Sequence, residues 1–141
     1  MALLELRGLH KRFGGLHAVN DVSFGVERGL IKAVIGPNGA GKTTLFNLIT
    51  GTVPASGGQV LFAESDISRK KPHQIASLGL ARTFQNIKLF SDMSVLENVM
   101  VGLHVRSRTG FIGSMLRMPA GRREERRLRV QALQLLDRLG L

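Results

Sequence analysis

The sequence predicts an α/β fold in which an N-terminal antiparallel β portion leads into a strand, a glycine-rich loop and a helix. Three observations carry this. Residues 4–9 and 22–26 alternate apolar and polar side chains, the period of half-buried strands. Residues 30–35, Leu-Ile-Lys-Ala-Val-Ile, form a mostly apolar run of the length of a buried strand. Directly after it, Gly-Pro-Asn-Gly-Ala-Gly-Lys-Thr-Thr at 36–44 opens into residues with a helical rhythm.

In chain order, the strands around Leu4–Leu9 and Val22–Val26 are expected to pair antiparallel about a turn at Phe13-Gly14-Gly15. Glu27-Arg28-Gly29 turns the chain into Leu30–Ile35, expected as a buried strand ending at Gly36. From Lys42, the positions Leu45, Phe46, Leu48 and Ile49 mark a helix, with Gly51 where a C-terminal cap belongs. Turn formers crowd residues 52–58, and Gln59–Ala63 is a short strand. Pro72 suits a first helical position and starts a short helix through Ala76. Leu80–Phe84 is a further strand, and Ser94 caps a helix carrying Val95, Leu96, Val99 and Met100.

Between Arg106 and Gly121 the mixture of Gly, Ser, Arg and scattered apolar residues reads as a loop or an interrupted helix. The last helix runs from Arg122 to Leu139, with Leu128, Ala132, Leu135, Leu136 and Leu139 on one face. Glu125 and Arg129 stand four apart in the acid-first order that favours a surface ion pair. The whole reads as one domain: β-rich portions at 1–35 and 52–84, a loop and helix at 36–51, and a more helical remainder at 85–141.

Composition narrows the function classes. With 141 residues and 43% hydrophobic content the chain belongs with ordinary globular proteins. It has no cysteine, which excludes a disulfide framework and a thiolate metal site and leans towards the cytoplasm. Glu5 interrupts the N-terminal segment, so a secretory signal is not expected, and no apolar run approaches the roughly 18 residues of a membrane span. The net charge of +10 is concentrated in the last third, at Arg106, Arg108, Arg117, Arg122, Arg123, Arg126, Arg127 and Arg129. Such a patch suits phosphates of nucleic acid or lipid headgroups. A solvated helix face is preferred, because Glu124, Glu125 and Asp137 are interleaved and no base-stacking aromatic accompanies the cluster. Nucleic acid is therefore not the expected partner.

The loop at 36–44 carries the clearest chemistry. A triphosphate needs many donors at once, and a loop that opens into a helix offers successive backbone N–H groups and the positive end of the helix dipole. Gly36, Gly39 and Gly41 let the backbone curl around the phosphates, and Pro37 stiffens the entry. Lys42 is placed to reach the β- and γ-phosphates, Thr43 to offer its hydroxyl to Mg²⁺, and Thr44 to add a phosphate contact. The candidate ATP site is thus Gly36, Pro37, Asn38, Gly39, Ala40, Gly41, Lys42, Thr43 and Thr44.

Beyond the loop, the residues Leu9-His10-Lys11-Arg12-Phe13-Gly14, the spelling of 36–45, and Arg82-Thr83-Phe84-Gln85-Asn86 resemble the ATP-binding-cassette (ABC) ATPases. The resemblance implies a P-loop nucleotide-binding domain of the ABC type, with Gln85 and the residues after it beginning its helical subdomain. It implies that Phe13 stacks on adenine where the family commonly has tyrosine, and that Ala18 fills a small apolar position beside the base. Gln85 matches the glutamine that senses the γ-phosphate and Mg²⁺, making Thr43 and Gln85 the candidate metal contacts. Taken on pattern alone, Phe13 would be a core aromatic and Gln85 a surface loop residue.

A narrower resemblance is to the ATPase subunits of branched-chain amino-acid importers. It rests on residues 12–20, on Leu45–Gly51, and on 82–86 followed by Leu89-Phe90 and Met93–Val99. It implies coupling of MgATP binding and hydrolysis to uptake of branched-chain or other hydrophobic amino acids. The partners it implies are transmembrane permease subunits, a second ABC ATPase subunit and, indirectly, a periplasmic solute-binding protein. The location it implies is cytoplasmic, on the inner face of the membrane through the permease.

The family's further catalytic features are a strand ending in aspartate followed by glutamate, a Leu-Ser-Gly-Gly-Gln-like signature and a switch histidine. None is found here: Leu133–Asp137 mimics the first but keeps a helical period, with Arg138 where glutamate belongs. The chain is therefore expected to be the nucleotide-binding N-terminal part of a longer protein, exposing apolar surface and marginal in isolation. The competing readings are a non-transport ABC ATPase of translation or DNA repair, and a non-enzymatic piece whose basic helix docks on membrane or nucleic acid.

Overall fold

The computed structural model describes residues 2–85, 89–103 and 119–140, with backbone alone for 119–124. They fall into two compact units, Met1–Arg82 and Thr83–Leu141.

The first unit is built on a four-stranded antiparallel sheet in the order β2-β1-β3-β4. Its strands are β1 (Ala2–Phe13), β2 (Leu16–Glu27), β3 (Gly57–Phe62) and β4 (Ser65–Asp66). The expected hairpin forms, with Phe13 opposite Leu16 at its tip, and its strands run longer than the alternating segments alone indicate. Strict alternation would send Leu6 and Leu9 to opposite faces, yet both are fully buried in one core. The cause is a register shift between them at Gly8, which adopts φ +56° and turns the rest of the strand over. The N–H of Gly8 donates to the Ser23 hydroxyl at 2.8 Å across the hairpin.

Helix α1 (Lys42–Ile49) lays Leu45, Leu48 and Ile49 onto Leu6, Leu9, Val19 and Val60 of the sheet. Ile67, after β4, and Ile75, from the short helix α2 (Pro72–Ser77), complete this core. The expected cap is in place: Gly51, just past α1, has φ +69° and its N–H donates to the Leu48 carbonyl. Phe46, the fourth apolar position of α1, is instead exposed beneath the Arg82 guanidinium, 6.0 Å from the ring centroid.

Two expected strands do not form. Leu30–Ile35 pairs with no strand among the described residues, and Leu30, Ile31 and Ile35 are 63%, 101% and 89% exposed. Its composition suits a strand buried on both faces, but a ladder needs paired neighbours, and the run has no place in the hydrogen-bonded order of the four strands. Leu80–Phe84 likewise forms no strand, and the Arg82 side chain donates to the Asn47 Oδ1 of α1 at 2.6 Å.

The second unit holds α3 (Val95–Leu103) and α4 (Pro119–Arg138), which pack on each other. Ser94 caps α3 as expected, in a reciprocal box with Glu97. The Glu97 N–H donates to the Ser94 hydroxyl oxygen at 3.3 Å, while the Glu97 carboxylate accepts the Ser94 N–H at 2.7 Å. The Asn98 amide also stitches the preceding loop to the helix: its Oδ1 accepts from the Phe90 N–H, and its Nδ2 donates to the carbonyls of Phe90, Met93 and Ser94.

The last helix begins at Pro119, earlier than Arg122, because proline fits the first helical turn, where its missing N–H is not needed. Its inward stripe is Leu128, Ala132 and Leu136 at four-residue spacing, whereas Leu135 and Leu139 face outward. Glu125 and Arg129 form no ion pair, and Arg129 instead acts on Glu97 of α3. The loop expected from Arg106, with Arg106, Arg108 and Arg117 in it, lies outside the described residues as far as 118.

Candidate functional site

The glycine-rich loop joins the end of the apolar run 30–35 to the start of α1. Within it the Ala40 N–H donates to the Pro37 carbonyl at 3.2 Å, and the helical ladder begins with the Leu45 N–H on the Gly41 carbonyl at 2.8 Å. Gly41 is the residue before the helix, at φ 83°, and no side chain caps the amides that follow. The first turn also holds no acidic residue. The N–H groups of Lys42, Thr43 and Thr44 therefore point out of the helix unsatisfied, beside the positive end of its dipole, and only an anion or solvent can meet them.

Gly41 is required for a second reason. Its backbone presses so closely on β2 that a β-carbon there would collide with the Ala18 carbonyl oxygen. This contact fixes the mouth of the loop against the hairpin. Ala18, expected beside a base, is thereby placed half-buried at the point where the hairpin touches the loop.

Lys42 is half-buried and curls back over the loop, its Nζ donating to the carbonyls of Gly36 at 2.6 Å and Pro37 at 2.7 Å. An ammonium has three N–H donors, so these two bonds pin it over the loop and leave one for a ligand oxygen. Gly36, Pro37, Asn38, Gly39 and Ala40 are all exposed, forming the rim of the loop. Thr43 is exposed and Thr44 half-buried, and the hydroxyl of neither is engaged in a hydrogen bond among the described residues.

A cavity of about 540 Å³ adjoins the loop, between β2 and residues 32–35, with His17, Ala18, Lys32, Val34, Gly41 and Lys42 among its lining. Phe13 stands at the hairpin tip, 49% exposed. Opposite it is Leu16, two residues along β2 from Ala18, roughly 7 Å at the rise of a strand. Gln85 is exposed and belongs to the second unit, whereas the loop and the hairpin belong to the first.

The donor set decides which groups fit. Uncapped amides, a glycine-only approach and a pinned lysine form a cradle for an anion such as a phosphate. For a metal, no group of three His, Cys, Asp or Glu side chains converges among the described residues. The exposed Thr43 hydroxyl at the helix start is an oxygen donor of the kind that fits a divalent cation accompanying a phosphate.

Two contacts were not legible from spacing: the Gly41–Ala18 contact at the loop, which joins residues 23 apart, and the Lys11–Phe13 pairing at the hairpin tip, in which Lys11 Nζ stands 4.9 Å from the ring centroid. The second had a faint signal, since residues two apart on a strand share a face.

Comparison with known proteins agrees with this geometry. The family described as ABC transporter matches residues 19–141. The chain is 43% identical, over 139 residues, to the high-affinity branched-chain amino acid transport ATP-binding protein LivG of Salmonella typhimurium, and 42% identical to BraF of Pseudomonas aeruginosa. Each alignment covers 99% of this chain and 54% of the relative, so the chain spans about half the length of the curated relatives it matches. Among solved structures, a nucleotide-free ATP-binding cassette from an ABC transporter superposes with a TM-score of 0.68 at 35% identity, over 84% of this chain and 47% of that one. The ADP conformation of an ATP-binding cassette gives 0.68 at 36% identity, over 84% and 46%. With the family matching most of the sequence and the cassette fold recovered in the structure, the chain belongs to the ABC transporter family.

Proposed function

We propose that this chain is the ATP-binding part of an ABC importer ATPase subunit, serving uptake of branched-chain or other hydrophobic amino acids. The observation that carries the reading is the uncapped start of α1, locked against Ala18 by Gly41 and overlain by Lys42. The relatives named above are amino-acid transport ATP-binding proteins, which supports the solute class.

In this reading the backbone amides of residues 39–44 hold the phosphates, Lys42 neutralises the β- and γ-phosphates, and Thr43 holds the Mg²⁺ that travels with them. When bound, Mg²⁺ would supply screening of the phosphate charge. Phe13 supplies a ring face for adenine, Ala18 leaves room beside it, and Gln85 reports the γ-phosphate. The partners are permease subunits, a second ATPase subunit and, through the permease, a solute-binding protein. No helix among the described residues is long and apolar enough to cross a membrane, so this reading places contact with the membrane in the permease.

Uptake tests the assignment directly. In the source cell, replacing Lys42 by alanine in the gene should abolish saturable uptake of labelled leucine at low external concentration and leave an unrelated solute unaffected. Undiminished leucine uptake would count against the solute class.

A further inference from the structure

Lys11 and Phe13 stand two residues apart at the end of β1, on the same face of the strand. The Lys11 ammonium lies over the Phe13 ring, 4.9 Å from its centroid. It does not hang free: Nζ also donates to the Pro54 carbonyl at 2.7 Å. The loop around Pro54 is tied to the same strand end twice more, through the Arg12 N–H on the Ser56 hydroxyl at 3.1 Å and the Ser56 N–H on the His10 carbonyl at 3.0 Å. The cation is thus fixed in place on one face of an aromatic ring that is half exposed.

A ring has two faces, and an ammonium on one blocks it and draws electron density from the other. Stacking between an electron-poor ring and an electron-rich purine is favoured by that polarisation. From this geometry we infer that Lys11 is a positioning and base-specificity residue: it braces Phe13 from behind and presents the polarised opposite face to a purine. This rests on the reading of Phe13 as the base platform. Lys11 touches the ring and not the nucleotide, so its effect is confined to the base and does not extend to the phosphates.

Calorimetric titration of this chain with MgATP and with Mg²⁺-tripolyphosphate, which has the phosphates and no base, separates these contributions. Lys11→Met should weaken MgATP binding about two- to five-fold, the size of an exposed cation–π contact, and leave tripolyphosphate unchanged. Lys11→Arg, which retains both the charge and a donor for Pro54, should restore MgATP binding. In a Phe13→Leu background, Lys11→Met should have no further effect. Unchanged MgATP binding by Lys11→Met, or equal weakening for both ligands, overturns the inference. If Phe13→Leu itself leaves MgATP binding intact, the base platform is misplaced and the inference falls with it. If the unaltered chain binds neither ligand, the proposed nucleotide function is what fails.

Discussion

The phosphate-loop residues are legible because their chemistry is local. A lysine after a glycine-rich turn, followed by two threonines and a helix, needs nothing distant to be recognised. What spacing does not carry is the reason why Gly41 in particular must be glycine. That requires Ala18, 23 residues earlier, whose carbonyl oxygen occupies the place of a β-carbon. Gly41→Ala therefore combines a left-handed backbone at φ 83° with a backbone collision. It should cost about 1–3 kcal/mol of stability in a denaturant titration and abolish nucleotide binding. A variant as stable and as tightly binding as the parent would disprove the close approach. The Asn47–Arg82 bond escaped for the same reason, since its partners are 35 residues apart.

Among the elements, helices and the hairpin were readable because the hydrophobic period and the caps are written in adjacent residues. Leu30–Ile35 and Leu80–Phe84 were misread because apolar composition names a strand type while pairing depends on residues elsewhere. At the start of α3, Ser94 was recognised but its partner Glu97 was not. That carboxyl is held below its ordinary value of 4.5, first by the hydrogen bond from the Ser94 hydroxyl and then by the Ser94 N–H, with a smaller pull from Arg129. Because the folded value is depressed, the box contributes its stability above pH 4.5 and loses it as pH falls through the folded value. Amide exchange at the first turn of α3 should be slow and constant from neutral pH down to about 5 once corrected for intrinsic rate, then quicken in more acid solution. Glu97→Gln, which keeps an acceptor but does not titrate, should remove that acid-dependent quickening. Its persistence in the variant would mean that another group governs the turn.

For the molecule as a whole, the same run 30–35 has a further consequence. Ile31 and Ile35 lie almost wholly in solvent on a segment outside the sheet, an apolar surface open to association. The expectation of exposed apolar surface in a chain about half as long as its relatives is thus met at identifiable residues. Light scattering of the purified chain should rise with concentration, and Ile31→Lys should suppress the rise without lowering the midpoint of unfolding, since Ile31 buries nothing. Equal scattering by both would move the association to another surface.

Every functional statement above depends on the loop forming an anion site in this chain. Fluorescence anisotropy of a labelled ATP analogue with Mg²⁺, comparing the chain with Lys42→Ala, tests it most directly. Lys42 pins the Gly36 and Pro37 carbonyls and, in the proposed function, neutralises the phosphates. The account predicts saturable binding by the chain, weakened at least ten-fold in the variant by the loss of a charge-assisted contact and of the pinned loop. Equal affinity in the two, or no binding by either, would contradict it.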